Sequence, residues 1–296
     1  MADHRVLERS LAGEVLYGDD FSPSEIAEWF EDERNGYFAL EKRDRSHYQY
    51  GYHALNQRHA YRFLPAGPFK HALGFGSAYC DELLPILDRL QTITVVEPAR
   101  EFAVREIGGK RVEYHEPGAS GELEFANECF DLIICLSVLH HIPNVSAVLR
   151  ELARCLQPGG YAIFREPVIS MGDWRRSRKG LTKRERGIPL AILRRMMETS
   201  GLEIVQERPC MFPVTARFRY LMRSPVYNSQ FCVRLDEWVS RLSLWPERYH
   251  PAHWYHKLRP SAVFFVAQKL SSCCTGFRRS AGRTETISNP TIARRA

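Results

Sequence analysis

The sequence lacks the features that mark membrane-spanning, secreted and disulfide-linked proteins. None of its apolar segments is long enough to span a bilayer, and the amino terminus lacks the charged-then-apolar pattern of a signal peptide. Its eight cysteines show no Cys-x-x-Cys pair and no regular spacing, which argues against a disulfide framework or a cysteine zinc site. We therefore expect a cytoplasmic protein with reduced cysteines and no membrane insertion.

The sequence also has little excess charge outside its carboxyl-terminal end. Five Arg and one Glu within residues 271–296 account for four of the six net positive charges. That segment shows no apolar periodicity, so we expect a disordered basic tail. The charge balance of the remainder gives no reason to expect a nucleic-acid partner.

The most informative stretch that is present runs from His71 to Pro98. A strand ends in Gly74-Phe75-Gly76, a helical segment follows, and a second strand ends in Glu97. Glycine at such a turn lets the backbone approach a ligand closely, because no Cβ stands in the way. A carboxylate at the tip of the next strand can accept hydrogen bonds from both hydroxyls of a ribose. The two features predict a site for a cofactor that contains a nucleoside.

Two kinds of nucleoside cofactor compete for this site. The dinucleotide fingerprint requires a third glycine that lets helix and strand pack closely, and that position is Tyr79. The large ring disfavours a pyrophosphate-binding turn without excluding it. A nucleoside cofactor without phosphates is the other candidate.

A later segment favours the second candidate. The short apolar run Phe130–Cys135 is typical of a strand buried on both faces. It leads into a His-His-Ile-Pro loop at 140–143, a helical pattern that ends at Leu156, a Pro-Gly-Gly stop and a strand that ends at Glu166. This order of elements, over residues 67–168, resembles the class I S-adenosylmethionine-dependent methyltransferases.

The resemblance implies a fold and a cofactor. The fold is α/β, a Rossmann-like seven-stranded sheet with helices on both faces, and the cofactor is S-adenosyl-L-methionine. The residues expected to bind it are Gly74, Phe75, Gly76, Glu97 and Leu136. The family's leading acid, which helps to fix the ammonium of the cofactor, falls on Ala72, and its third glycine falls on Ala78. The ammonium contact must therefore come from elsewhere, or binding is weaker.

The rest of the chain is expected to surround this core. We predict a helical amino-terminal cap over residues 1–66 and a methyltransferase domain over 67–270, followed by the tail. Within the domain we distinguish a core (67–168), a basic loop (169–188) and an insertion before the last strand (209–260). A connection as long as this insertion usually has a function or a structure of its own.

Basic and aromatic side chains surround the expected mouth of the site. Residues 174–195 hold nine Lys or Arg against one Glu, which is either a solvated surface or an electropositive rim for an anionic acceptor. The Arg and aromatic residues of the insertion suit stacking on a sugar ring, and equally suit a homodimer interface. The residues expected to contact the acceptor or cover the cofactor are Arg165, Arg175, Tyr50 and His53. For the tyrosines, packing between cap and core is the alternative.

The predicted chemistry needs alignment and, for a hydroxyl acceptor, a base. The candidate catalytic residues are His141, His140 and Glu166. We favour His141 as the base because neutral imidazole accepts a proton near pH 7, with His140 turned inward to hold the loop. Glu166 can instead replace the missing acid at the ammonium of the cofactor. No histidine spacing indicates a metal site.

The predicted function is methyl transfer from S-adenosyl-L-methionine to a hydroxyl of a small polar acceptor. A sugar, a glycan intermediate or a natural product, which can be anionic, is the expected class. A quinone or other phenol, and a protein or nucleic acid, are alternative acceptors. From other classes, an NAD-dependent oxidoreductase and a non-catalytic methyltransferase-like partner subunit stay open, the latter because of Ala72.

Overall fold

The computed structural model describes residues 2–40, 45, 48–176, 178–222, 224–243 and 248–270, and the predicted tail lies outside these residues. The strands are β1 (Phe69–Phe75), β2 (Leu90–Val96), β3 (Glu106–Ile107), β4 (Lys110–His115), β5 (Phe130–Leu136), β6 (Leu156–Pro167), β7 (Leu202–Cys210) and β8 (Ala262–Lys269). They form one sheet in the order β3-β4-β2-β1-β5-β6-β8-β7. The predicted α/β fold class is confirmed.

The centre of the sheet is parallel and its two ends are antiparallel. Strands β4, β2, β1, β5 and β6 pair in parallel, whereas β8 runs antiparallel between β6 and β7. The strand count exceeds the prediction by one, because β3 is a two-residue strand that pairs with β4 through a turn at Gly108 and Gly109. Both glycines have positive φ, as a two-residue hairpin turn requires, but so short a strand leaves no periodic signal in the sequence.

The central strands are buried on both faces, as their continuous apolar sequence predicts. In β5, Leu132 and Ile134 belong to the core on one face, and Ile133 and Cys135 to the core on the other. This alternation follows from the two-residue period of a strand. Because the parallel strands share one direction, their carboxyl ends meet at one edge of the sheet.

The helices are α1 (Ala2–Ala12), α2 (Pro23–Leu40), α3 (His53–His59), α4 (Val145–Cys155), α5 (Leu190–Thr199), α6 (Pro213–Ala216) and α7 (Gln230–Leu242). Helix α2 begins with a capping contact, in which the backbone N–H of Ser22 donates to the Glu25 carboxylate at 2.9 Å. The connection from β1 to β2 is a 3₁₀ helix, Asp81–Arg89, which contains Pro85. The missing N–H of the proline removes one α-helical hydrogen bond.

The insertion before β8 has its own helical structure. Helices α6 and α7 lie within it, and the buried Asp236 of α7 accepts the backbone N–H groups of Met211 and Phe212 at 2.8 Å each. These bonds fix α7 to the end of β7. None of the helices in the described part of the chain is long and apolar enough to cross a membrane. The domain boundaries at 66, 168 and 270 stay predictions.

Candidate functional site

A cleft opens at the carboxyl ends of the parallel strands. Gly76, Glu97 and Ser137 line it, each lying one residue past the end of β1, β2 or β5. Phe30 and Glu33 of α2 form the facing wall. The cleft therefore lies at the sheet edge that the sequence predicts, and a helix of the amino-terminal region covers it.

Only glycine fits at two positions around the carboxyl end of β1, Gly74 and Gly76. Gly76 has φ +66°, and a Cβ there would lie 2.6 Å from both methyl carbons of Val138. A Cβ on Gly74 would collide with the side chain of Ser77. Ala78, where the resemblance expects a third glycine, also has positive φ (+40°). The predicted Phe75 lines the cleft beside Gly76, while Leu136 is the last, half-buried residue of β5.

Glu97 is a buried carboxylate at the wall of the cleft. Its two oxygens accept the backbone N–H groups of Ala78 at 3.0 Å and Ala99 at 3.2 Å. Burial raises the pKa of Glu97 to about 7, although these hydrogen bonds favour the ionised form. An ionised carboxylate has about four acceptor positions, so hydrogen bonds from a ligand can still be accepted.

His140 holds the loop after β5 in place. Its Nδ1 lies 2.7 Å from the Glu166 carboxylate, and its Nε2 lies 3.5 Å from Glu185. Burial lowers the pKa of His140, but the hydrogen bonds and charges of the two carboxylates outweigh burial and raise the pKa to about 9. His140 is therefore protonated at neutral pH and has no lone pair with which to act as a base.

Glu166 lies beneath the same loop. It is fully buried, and besides His140 it accepts the backbone N–H groups of Val138 at 3.0 Å and Leu139 at 2.9 Å. All of these partners belong to the loop, so the carboxylate stabilises the backbone that carries the two histidines. This position does not favour a role for Glu166 at the ammonium of the cofactor.

His141 faces the cleft and contacts α2. Its Nδ1 lies 2.7 Å from the Glu33 carboxylate, and its backbone carbonyl accepts the indole N–H of Trp29 at 2.7 Å. Burial, with the charge of His140, lowers the pKa of His141. The ring is therefore neutral at pH 7. Sequence analysis missed Glu33 and Trp29, because no local pattern connects residues more than one hundred positions apart.

Several cations of the basic loop have partners within the protein. Arg184 pairs with Asp32 at 2.7 Å, and its backbone N–H donates to Glu33 at 2.8 Å, which joins the loop to α2. Arg175 pairs with Asp173 at 2.9 Å. These contacts weaken the argument from composition for an electropositive rim that is open to an anionic acceptor.

The other predicted residues form a second polar cluster beside the turn after β1. Arg165 donates from Nε to the Ser137 hydroxyl at 3.0 Å and from Nη1 to the Asn56 side-chain oxygen at 3.3 Å. The Asn56 amide donates to the Tyr50 hydroxyl at 2.8 Å. His53 reaches the backbone carbonyl of Asp81 at 2.7 Å, and its ring lies tilted against that of Tyr50 with 5.0 Å between the ring centres. The structure therefore brings Tyr50, His53 and Arg165 together.

One group of side chains has the spacing of metal ligands. Donor atoms of His140, His141 and Glu185 all lie within 4.8 Å of one another. Because the protonated imidazole of His140 has no free lone pair, this group does not favour a metal at neutral pH. The prediction that the site works without a metal stays a prediction.

Comparisons with known proteins agree with this architecture. Residues 72–164 match a family model described as a methyltransferase domain. Ubiquinone biosynthesis O-methyltransferases of Pseudomonas putida strain F1 and Pseudomonas fluorescens strain Pf0-1 are each 39% identical to the chain over 56 residues. These matches cover 19% of the chain and 24% of each relative, so the chain spans about a quarter of the length of these curated relatives.

A solved structure is similar over more of the chain. Phosphoethanolamine N-methyltransferase 2 of Haemonchus contortus, in complex with S-adenosyl-L-methionine, matches with a TM-score of 0.53 at 16% identity. The match covers 87% of this chain and 61% of that one. At this level of identity the likeness shows the fold alone.

Proposed function

We propose that the protein transfers the methyl group of S-adenosyl-L-methionine to a hydroxyl of a small molecule. The match of residues 72–164 to a methyltransferase-domain family model supports this proposal. The observation that carries this proposal is the cleft in which Gly76, Glu97 and His141 meet. The cleft combines a turn with glycine at its closest approach, a buried carboxylate and a neutral imidazole.

The residues around the turn suit the nucleoside of this cofactor. Glu97 can accept hydrogen bonds from the two ribose hydroxyls, and Gly76 allows the backbone to lie close to the cofactor. Pro98, Pro117 and Val148 line the cleft with Glu97 and offer an apolar surface to the adenine. Bound in this way, the cofactor supplies a methyl group that is already activated for transfer.

His141 is the proposed base. With Nδ1–H donating to Glu33, the neutral ring carries its lone pair on Nε2, the atom that we assign to take the proton of the acceptor hydroxyl. Nε2 of His141 would take up the hydroxyl proton as the acceptor oxygen receives the methyl group, and bound S-adenosyl-L-methionine would supply that group and become S-adenosylhomocysteine. Glu33 stabilises the imidazolium that results, in the way that a carboxylate supports a catalytic histidine elsewhere.

The mouth of the cleft favours an acceptor with an apolar ring. Phe30 and Ile142 line the cleft near His141, while cations of the basic loop such as Arg184 are paired within the protein. We therefore favour a phenolic natural product over a sugar or glycan. The names of the partial relatives, which describe O-methylation in ubiquinone biosynthesis, agree with this class.

The proposal is tested by transfer of labelled methyl from S-adenosylmethionine into fractionated host lysate, with a Gly74→Arg variant as the blank. We expect label in the small-molecule fraction that carries phenols. Label confined to protein or nucleic acid would contradict the acceptor class. Absence of label above the blank, together with a stable complex with a second protein and no binding of S-adenosylhomocysteine, would instead support a non-catalytic subunit.

A further inference from the structure

A buried cation lies beside the cleft without an anionic partner. Arg165 is 4% exposed, and within the described part of the chain its guanidinium forms no ion pair. Its partners are the Ser137 hydroxyl, the Asn56 amide oxygen and the face of Tyr52, whose ring centre lies 4.3 Å away. All three are neutral, and a buried arginine normally pairs with a carboxylate.

A buried carboxylate lies in the same region without a cationic partner. Glu82 is 5% exposed, and its carboxyl group lies near the side chain of Ser77, the residue that follows Gly76. No Lys or Arg within the described ranges forms an ion pair with it. Burial raises the pKa of Glu82 to about 7, the direction expected for a carboxylate that has lost water without gaining a cation.

The two charges adjoin one cluster of tyrosines. Arg165 and Glu82 both influence the hydroxyls of Tyr50 and Tyr61 electrostatically. The Tyr61 hydroxyl also donates to the backbone carbonyl of Glu82 at 2.8 Å. The cluster meets the cleft at two points, at Ser137 on the side of Arg165 and at the Gly76–Ser77 turn on the side of Glu82.

Two buried charges of opposite sign that do not pair with each other are unfavourable unless a ligand compensates both. A ligand that carries an ammonium and a carboxylate on one carbon would do so. An α-amino-acid group has this chemistry, and the proposed cofactor carries one next to its sulfur.

We propose that Arg165 and Glu82 form a cradle for the α-amino-acid end of the cofactor. Arg165 binds its carboxylate and Glu82 binds its ammonium. The cradle supplies the ammonium contact that Ala72 cannot make and that Glu166, held by the loop, does not make. This inference rests on the proposed function, and it moves Arg165 from acceptor binding to cofactor binding.

The test compares two ligands that differ only at this end. S-Adenosylhomocysteine carries the amino-acid group, whereas 5′-methylthioadenosine has the same adenosine and sulfur without it. Titration calorimetry should show that the wild-type protein prefers S-adenosylhomocysteine. Arg165→Met and Glu82→Gln should each weaken its binding by about 30-fold or more, the usual cost of removing one partner from a buried charge pair. Both variants should bind methylthioadenosine within about twofold of the wild type.

Arg208→Met is the matched control, because Arg208 is also buried but pairs with Glu237. It should lower the thermal midpoint and leave the preference between the ligands unchanged. Arg165→Met should lower the thermal midpoint without ligand less than Arg208→Met does, since it loses hydrogen bonds to neutral groups and no ion pair, and Arg165→Lys should restore part of the affinity. If Arg165→Met weakened the binding of both ligands equally, or left the binding of S-adenosylhomocysteine unchanged, the assignment of Arg165 and Glu82 to the amino-acid group would be wrong. The proposed function would not be affected. Wild-type protein that binds neither ligand would overturn the proposed function as well.

Discussion

Removal of the His141 imidazole is the perturbation with the clearest expected effect on catalysis. A positioned general base contributes on the order of 10²- to 10⁴-fold to the rate. Because His141 faces the cleft and His140 is protonated, no neighbouring imidazole can take over its role. We expect His141→Ala to lower kcat by about 10²-fold or more, with S-adenosylhomocysteine affinity little changed.

Glu33→Gln perturbs the same base without removing it. Glutamine keeps the size of the side chain but loses the negative charge 2.7 Å from Nδ1. Since the Glu33 charge raises the pKa of His141 against burial, the variant should have a weaker base and a poorly stabilised imidazolium. We expect kcat to fall by about tenfold or more, a smaller loss than for His141→Ala.

The pH dependence of kcat, measured with saturating cofactor, provides a second readout of this base. The pKa of His141 is lowered from its usual 6.5, so the neutral form persists below that pH. Activity should fall on the acid side with an apparent pKa below 6.5, and Glu33→Gln should shift this limb to still lower pH. His71→Ala, at the exposed start of β1, is the matched control and should behave like the wild type. Activity of His141→Ala within about threefold of the wild type would refute the assignment.

Three further predictions concern the cofactor site and the cap. Gly76→Ala should weaken S-adenosylhomocysteine binding, measured by calorimetry, far more than Gly201→Ala. Both glycines have positive φ, but of these two only Gly76 is so placed that an added Cβ would meet another atom within 4 Å. Affinity for the same ligand should decrease as pH falls below about 7, since protonation of Glu97 removes acceptors for the ribose. Glu97→Gln should make this decrease smaller and leave the part that comes from Glu82. Arg184→Ala should reduce the free energy of unfolding by about 1–3 kcal/mol in denaturant titrations, because it breaks a partly buried ion pair with Asp32.

The core of the fold could be predicted because its signals are local. The apolar run of β5 and the periodic α4 each fit one element, and α4 ends within one residue of the predicted Leu156. The strand β3 was not predicted, because its two residues are too few to show the alternation of apolar and polar side chains that marks a strand. The helical segment predicted between β1 and β2 is a 3₁₀ helix, Asp81–Arg89, that contains Pro85.

The candidate site could be predicted only in part. Gly76, Glu97 and His141 each directly follow a predicted strand or belong to a short motif, and the structure brings them together in one cleft. The contact of His141 with Glu33 and the proximity of Arg165 to Tyr50 depend on long-range packing that one sequence does not reveal. Their roles stay proposals, as do the domain boundaries.

Equilibrium binding of S-adenosylhomocysteine, with NAD measured in parallel, decides which cofactor the cleft binds. We expect one molecule of S-adenosylhomocysteine bound per chain, no binding of NAD, and loss of binding in Gly76→Arg but not in Gly201→Ala. Binding of NAD in preference to S-adenosylhomocysteine, or equal binding by the wild type and Gly76→Arg, would contradict it.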